Sequence, residues 1–446
     1  MRTFVEPLKQ LGGFADLIKQ AQREKGLYSI TGCIDAQKPH MMYACSDGKK
    51  NNIIVTFYEQ KAKELYEEYR FFDPDVVYYP AKDVLFYQAD IRGNVLTSER
   101  IRALKMIHEK ENVTVITTFD ALMNTQAPPE KIWESVLTFM PGDEISLDKV
   151  KKQLVRMGYE KEYQVETMGQ FAIRGGILDI FPLTEDNPIR IEMWGDEIDT
   201  IRTFDTESQK SIENIDEIHI YPACELVLSE EEKQKGIEKL LKEAKKVSEK
   251  LRKEMKTEEA HRMLSTAEEK AEEWGELSIY AGMDAYLSYF CEEKKGLLDY
   301  FNPVDTFVFF DELSRCIEQG KQTEIEFQES MKHRLEKGYI LPGQMNELFL
   351  EKEIVGKCQQ FSCIAFAALD AKANGFKQQG SFGIHVKSVN SYNSSFELLV
   401  KDLKNYKKNH YKVVLLSGSR TRAKRLADDL LDEGLNSFYT DDYNHE

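Results

Sequence analysis

Arg174-Gly175-Gly176-Ile177-Leu178-Asp179-Ile180-Phe181-Pro182 is followed, after a short gap, by Ile189-Arg190-Ile191-Glu192-Met193-Trp194-Gly195-Asp196-Glu197-Ile198-Asp199. Successive side chains of a strand point to opposite faces, so Ile189, Ile191 and Met193 share one face and Arg190, Glu192 and Trp194 the other. Gly195-Asp196 is a credible two-residue hairpin turn. A tryptophan sharing a face with two charges is unusual for a plain core strand, and Trp and Arg are the residues most enriched at binding hot spots. The competing reading packs Trp194 under a neighbouring loop and pairs Arg190 with Glu192 or Asp196. Spacing alone leaves the two readings even.

Around this hairpin the local signals agree on a small, largely antiparallel α+β domain at 143–225. A short helix, Leu147–Met157, stops at Gly158. Strands are expected at Gln170–Arg174, Ile177–Phe181, Ile189–Trp194 and Glu197–Phe204. Upstream, at 1–142, β-rich runs at Leu27–Ile30, Ile53–Phe57, Val76–Tyr79 and Val113–Thr117 alternate with helical stretches at Lys61–Tyr69 and Ser98–His108, the pattern of a mostly parallel α/β sheet. Pro128-Pro129 interrupts this pattern, and Pro141-Gly142 marks its end. Downstream, 226–345 is helix-rich. It opens on a Ser229/Glu232 capping box and carries one apolar stripe through Ile237, Leu240, Leu241, Ala244, Val247, Leu251 and Met255. The Lys and Glu residues between these positions read as a solvated face laced with i,i+4 pairs. Phe307–Phe310 returns the chain to α/β. The stretch 346–446 reads as a doubly wound α/β domain, with strands at Ser362–Ala367, Phe382–Val386 and Lys412–Leu416 and helices at Phe396–Lys407 and Thr421–Leu431.

The whole is an α/β multidomain chain of 446 residues, too long for one ordinary core. Its net charge of −17 argues against a protein whose main task is gripping phosphate backbone. No apolar run is long enough to span a bilayer, so no membrane partner is expected. The start, Met1-Arg2-Thr3-Phe4-Val5-Glu6, lacks a signal peptide's apolar core, which points to a cytoplasmic protein. Seven scattered cysteines with no C-x-x-C pair read as free thiols, not as a disulfide or zinc framework.

Two motifs bear on nucleotide chemistry. The strand Leu27–Ile30 runs into Thr31-Gly32-Cys33-Ile34-Asp35-Ala36-Gln37-Lys38-Pro39-His40, in the place of a phosphate-binding loop. Such a loop needs G-x-x-x-x-G-K-[ST], because glycine amides cradle the phosphates while Lys and Ser/Thr hold phosphate and magnesium. Thr31, Gly32 and Lys38 are all that remain, and a proline follows the lysine. Asp311-Glu312 resembles a Walker B pair at the end of a strand. Without the loop, a relic or structural role is favoured over a metal site.

The 174–205 segment, continued by Ser208-Gln209-Lys210, resembles domain 2 of the excinuclease protein UvrB family, and still more the version in bacterial transcription-repair coupling factors. Tyr79-Pro80 through Asp90 and Ser98-Glu99-Arg100-Ile101 resemble the first α/β domain of the coupling factors. Ser395–Leu399 and the run from Val413 to Leu426 resemble their third domain. The resemblance implies a helicase-like α/β domain that has lost its nucleotide loop, with the small domain inserted. It also implies that Arg174, Arg190 and Trp194 contact the excinuclease protein UvrA, with tryptophan where a phenylalanine can stand. No cofactor is then expected for this chain. ATP, magnesium, RNA polymerase and duplex DNA would belong to further domains of an intact translocase. An alternative is an active UvrB-like ATP-dependent DNA-remodelling enzyme. The missing G-K-[ST] and the lack of an aromatic-rich insertion in the first domain argue against it. A cluster of Arg420, Arg422, Lys424 and Arg425 could touch phosphates, but reads more readily as a solvated helix surface.

Overall fold

A computed structural model describes residues 2–82, 93–275, 282–369 and 375–442. Residues 83–90, part of the Tyr79–Asp90 stretch that carries the family resemblance, lie outside these. The chain opens with strands β1 (Gly26–Thr31), β2 (Asn51–Thr56), β3 (Val76–Tyr79) and β4 (Thr114–Thr118), separated by helices that include Glu59–Tyr69 and Gly93–Glu109. It then leaves through β5 (Leu137–Phe139) into a second unit and re-enters through β12 (Ile218–Ile220). These two strands pair antiparallel as the neck of the insertion.

The inserted unit holds the helix Leu147–Arg156 and strands β6 (Glu160–Lys161), β7 (Gln170–Arg174), β8 (Ile177–Ile180), β9 (Ile189–Trp194), β10 (Glu197–Phe204) and β11 (Ser211–Asn214), in sheet order β11-β10-β9-β8-β7-β6. Leu154 of the helix, Phe171, Leu178, Ile180, Ile189, Ile191, Ile198 and Ile201 form one core on one face of that sheet. The period-two alternation therefore holds, and the other face is left for Arg190, Glu192 and Trp194. Two tight turns set the registers. Gly175 (φ +61°) joins Arg174 to Ile177, and Gly195 (φ +67°) joins Trp194 to Glu197, both in the left-handed region that glycine enters without strain.

Beyond the insertion, Ser229 and Glu232 close the expected capping box on the helix Glu230–Lys253. A second helix, Thr257–Gly275, folds back against it. The expected apolar stripe is buried at Ile237, Leu240, Ala244 and Leu251 but not at Met255. Met255 sits at the reversal with φ +65° and is 87% exposed, because the two helices break there.

Strands β13 (Thr306–Asp311), β14 (Ser362–Ala367) and β15 (Gln378–Gly383) then complete the first sheet, whose order is β15-β1-β14-β13-β2-β4-β3, with every pairing parallel. Its inner strands are buried on both faces, as parallel strands require: Ile53, Ile54, Val55, Phe307, Val308, Phe309, Phe310, Cys363 and Ile364 are all solvent-free. Two strands expected in a separate unit from 346 onward thus belong to the N-terminal sheet. The strand at Ser362–Ala367 falls where its pattern put it, whereas the one expected at Phe382–Val386 lies earlier, at Gln378–Gly383; parallel pairing is non-local and gives no local sign of its partner. The strand expected at Lys412–Leu416 is not a ladder strand here. Val413–Leu416 are exposed and belong to no strand or helix among the described residues. The helices Phe396–Lys408 and Arg420–Asp432 share a small cluster of Val400, Leu403, Leu430 and Leu435.

Where the chain returns from the insertion, a buried ionic network ties it to the first unit. Arg100, fully buried, donates from Nε and Nη2 to Glu225 at 2.7 and 3.0 Å and from Nη1 to the Pro80 carbonyl at 2.6 Å. Its guanidinium lies 4.1 Å from the centre of the Tyr79 ring. Lys82 bridges Glu225 and Asp284. Alongside, Ser98 and Arg102 donate to the Leu183 carbonyl, and Lys105 pairs with Glu185. Burial alone would raise the Glu225 pKa, but Arg100 and Lys82 outweigh it and hold the group at about 2, below its ordinary 4.5. A depressed carboxylate stabilises the fold above its unfolded pKa and loses that contribution as pH falls toward its folded one. A shift of this size corresponds to roughly 3 kcal/mol lost between about pH 4.5 and 2. Urea unfolding should show Glu225→Gln to be destabilised at pH 7, with a shallower acid dependence than the parent across that window; parallel acid profiles would contradict the network's role.

Candidate protein-docking site

Of the three residues expected to form the site, Arg190 and Trp194 share β9, and Arg174 ends β7, which is not a neighbour of β9. β8 lies between β7 and β9, so Arg174 and Arg190 are one strand apart. They are joined by Asp179 of that middle strand, which stands directly opposite Arg190 in register. Arg190 grips this carboxylate with two parallel bonds, Nε to Oδ1 at 2.7 Å and Nη2 to Oδ2 at 2.8 Å. Arg174 Nη2 donates to the same Oδ2 at 2.6 Å. Arg190 Nη2 also donates to Gln209 Oε1 at 2.9 Å, and its guanidinium stacks 4.3 Å from the ring centre of the buried Phe204. The Asp179 hydrogen bonds keep the guanidinium firmly charged.

Arg190 therefore takes neither Glu192 nor Asp196 as its partner. Glu192 pairs instead with Arg202 across the β9–β10 hairpin. Nor does Trp194 pack under a loop: it is 83% exposed at the end of its strand. Asp179 and Gln209 were not anticipated as members of the site. The available signal for Asp179 was a lone carboxylate in Ile177-Leu178-Asp179-Ile180, at the alternating position shared with the polar face. Gln209 comes from the loop after β10, with φ +58°, and nothing in its spacing announces the contact.

Two guanidiniums share one buried carboxylate, so the pair keeps a surplus positive charge. Arg190 is only 13% exposed and Arg174 33% exposed. The Nη1 of Arg190 has no partner among the described residues, which leaves donors for an incoming acceptor. The fixed geometry suits a planar anionic group such as a carboxylate, and the open indole of Trp194 adds rigid apolar area nearby.

The degenerate nucleotide loop is also brought together with the acidic pair. Lys38 begins the helix Lys38–Ser46 and is 2% exposed. Its ammonium lies 2.6 Å from Asp311, 2.9 Å from Glu312 and 2.9 Å from Asp35. Lys61 reaches Asp35 from the far side. Burial works against the Lys38 charge, yet the three carboxylates outweigh it and raise the pKa above the ordinary lysine value. At the loop itself, the Thr31 carbonyl accepts from Ile384 N–H at 2.8 Å, and Cys33 N–H is used by the Ala367 carbonyl. A Cβ on Gly32 would meet the Ile384 carbonyl oxygen at 2.0 Å, so backbone already fills the space beside this glycine. A lysine that would reach for phosphate is thus spent on the carboxylates that would hold a metal.

Residues 137–226, from β5 to just past the neck strand β12, match the UvrB interaction domain family. The chain therefore carries a domain of the UvrB interaction class. Along nearly its whole length it is similar to the transcription-repair-coupling factors. It is 27% identical to that of Bacillus subtilis over 444 residues, 99% of this chain and 37% of that protein. The Staphylococcus epidermidis factor is 26% identical over 79% of this chain and 30% of its own length. The UvrABC system protein B of Thermosipho africanus is 28% identical over 86% of this chain and 60% of its own. The chain thus spans between about a third and three fifths of the relatives it matches. No helix among the described residues is long and apolar enough to cross a membrane.

The Lys38 cluster yields a direct expectation. Lys38→Met should lower stability by on the order of 3 kcal/mol in urea unfolding, because it strands Asp311 as a buried uncompensated charge; a loss below about 1 kcal/mol would mean that the cluster is not a structural element.

Proposed function

We propose that this chain is a non-catalytic docking module that recruits the excinuclease protein UvrA to a transcription-coupled nucleotide-excision repair factor. The binding face is the polar side of the inserted sheet, centred on Arg174, Arg190 and Trp194. One observation carries the reading: an almost fully exposed tryptophan stands on the same sheet face as two guanidiniums fixed by a buried carboxylate. Fixed cationic donors beside rigid aromatic area are the composition of interface hot spots, and pre-organisation lowers the entropy lost on binding. The relatives' names support the setting, a repair factor acting at transcription. In a longer protein, ATP hydrolysis, the handling of RNA polymerase and the main grip on duplex DNA would lie in other segments.

The second reading, a UvrB-like ATP-dependent enzyme, draws on the similarity to a UvrABC system protein B. The residue chemistry disfavours it. Lys38 is committed to three carboxylates, and the loop keeps a single glycine. Calorimetry should therefore find no ATP binding in the micromolar range, with or without magnesium. Micromolar binding abolished by Lys38→Ala would favour the enzyme.

Trp194→Ala should weaken binding to UvrA by about 2 kcal/mol, roughly thirtyfold. Its unfolding free energy should stay within about 0.5 kcal/mol of the parent, as for other exposed positions. Arg190→Ala tests something different, because it also removes the two bonds that neutralise buried Asp179; its weaker binding should come with a measurable loss of fold stability. Unchanged affinity in a folded Trp194→Ala protein would reject the assignment.

A further inference from the structure

The solvent face of the helix Glu230–Lys253 is not laced with ion pairs as its sequence suggests. Its charged pairs lie in its first turns: Lys233 with Glu230, Lys235 with Glu231, and Glu232 with Lys131 from outside the helix. Further along, Lys239, Lys242, Lys246, Lys250 and Lys253 are exposed and make no ion pair among the described residues. At 3.6 residues per turn these five fall within an arc of about 80°, opposite the buried Ile237, Leu240, Ala244 and Leu251, and the row is about 21 Å long. Lys245 and Arg252 lie beside the row, with Glu238 and Glu249 as the exposed acids on that side. Glu243 is turned away, bonded to the Tyr289 hydroxyl and the Gly343 N–H. The neighbouring helix Thr257–Gly275 exposes Glu258, Glu268, Glu269 and Glu272, none of them paired with the row among the described residues. In a chain of net charge −17, five unneutralised ammonium groups in one line are the feature left without a structural role.

We propose that this lysine row is an auxiliary contact for the phosphate backbone of duplex DNA. Charge complementarity is direct. A duplex strand offers a phosphate about every 3.4 Å along its axis, so a row of this length faces about six of them. Lysines are flexible point charges that need no planar partner, which suits sequence-independent backbone contact more than recognition of a carboxylate. No aromatic residue lies in the row, whereas single-strand binding relies on base stacking. The acidic neighbouring helix keeps a polyanion to one side of the hairpin and gives the contact an orientation. The overall acidity makes the contact weak and strongly dependent on salt. This surface is independent of the UvrA docking face, which lies in the inserted domain.

The test uses the whole 446-residue chain and a fluorescently labelled 40-base-pair duplex, with anisotropy titrations from about 50 to 200 mM salt. Changing Lys239, Lys242, Lys246 and Lys250 together to Gln keeps good helix formers on exposed positions, and circular dichroism verifies the fold. The salt slope of log affinity should fall in magnitude by about three to four, at about 0.9 for each phosphate no longer neutralised. Arg420→Gln, Arg422→Gln, Lys424→Gln and Arg425→Gln in one protein remove as many charges from the other basic cluster and should leave the slope unchanged. The proposal is overturned if the parent shows no duplex binding at the lowest salt, or if both quadruple variants reduce the slope alike. Tighter binding of the same strand in single-stranded form would also overturn it. So would sedimentation showing that the row instead joins two copies of the chain, with self-association abolished in the lysine variant.

Discussion

Parallel strands must be buried on both faces, and this one constraint organises the chain. β1 cannot be satisfied by its sequence neighbours; its flanks are covered by β14 and β15, from more than 300 residues downstream. Everything between β4 and β13 is thereby an excursion that leaves the sheet and returns to it. The inserted domain is one such excursion, hung on the two-stranded neck of β5 and β12, with the buried Arg100, Glu225 and Lys82 where the chain returns from it. These buried charges are costly to separate once desolvated, which holds the chain in place beside the neck.

The same use of a buried carboxylate recurs at the proposed docking face and at the degenerate loop, with different consequences. Asp179 binds two guanidiniums and leaves their outer donors toward solvent, so the ions are held but not exhausted. Lys38 is enclosed by Asp35, Asp311 and Glu312 and has no capacity left for phosphate. One cluster is arranged to present charge and the other to cancel it. That contrast underlies the reading of this region as a binding module in place of a nucleotide-driven one.

Local features were legible in the sequence. The polar and apolar faces of β9, the glycine turns at 175 and 195, the helix stop at Gly158 and the Ser229 capping box all depend on residues within a few positions of one another. What escaped depends on pairing across distance. Asp179 meets Arg190 only through the β8–β9 register, set across an eight-residue connection. Lys38 meets Asp311 across 273 positions. The strand at 362 carries the right pattern, the one at 378 was expected four residues later, and nothing local states that either closes the first sheet. The break at Met255 had no glycine or proline to announce it. The Arg190–Trp194 face was readable as a candidate site, while the buried anchor that makes Arg190 partly structural was not.

Amide hydrogen exchange of the chain alone and bound to UvrA tests the central claim most directly. The Gly175-Gly176 and Gly195-Asp196 turns flank Arg174 and Trp194 at the ends of the two hairpins, where ladder bonds no longer hold the amides. Binding on the polar face should slow exchange at both turns and leave the Lys38 loop and the Glu230–Lys253 helix unchanged. Unaltered turns, with slowing confined to another surface of a verified complex, would contradict the account.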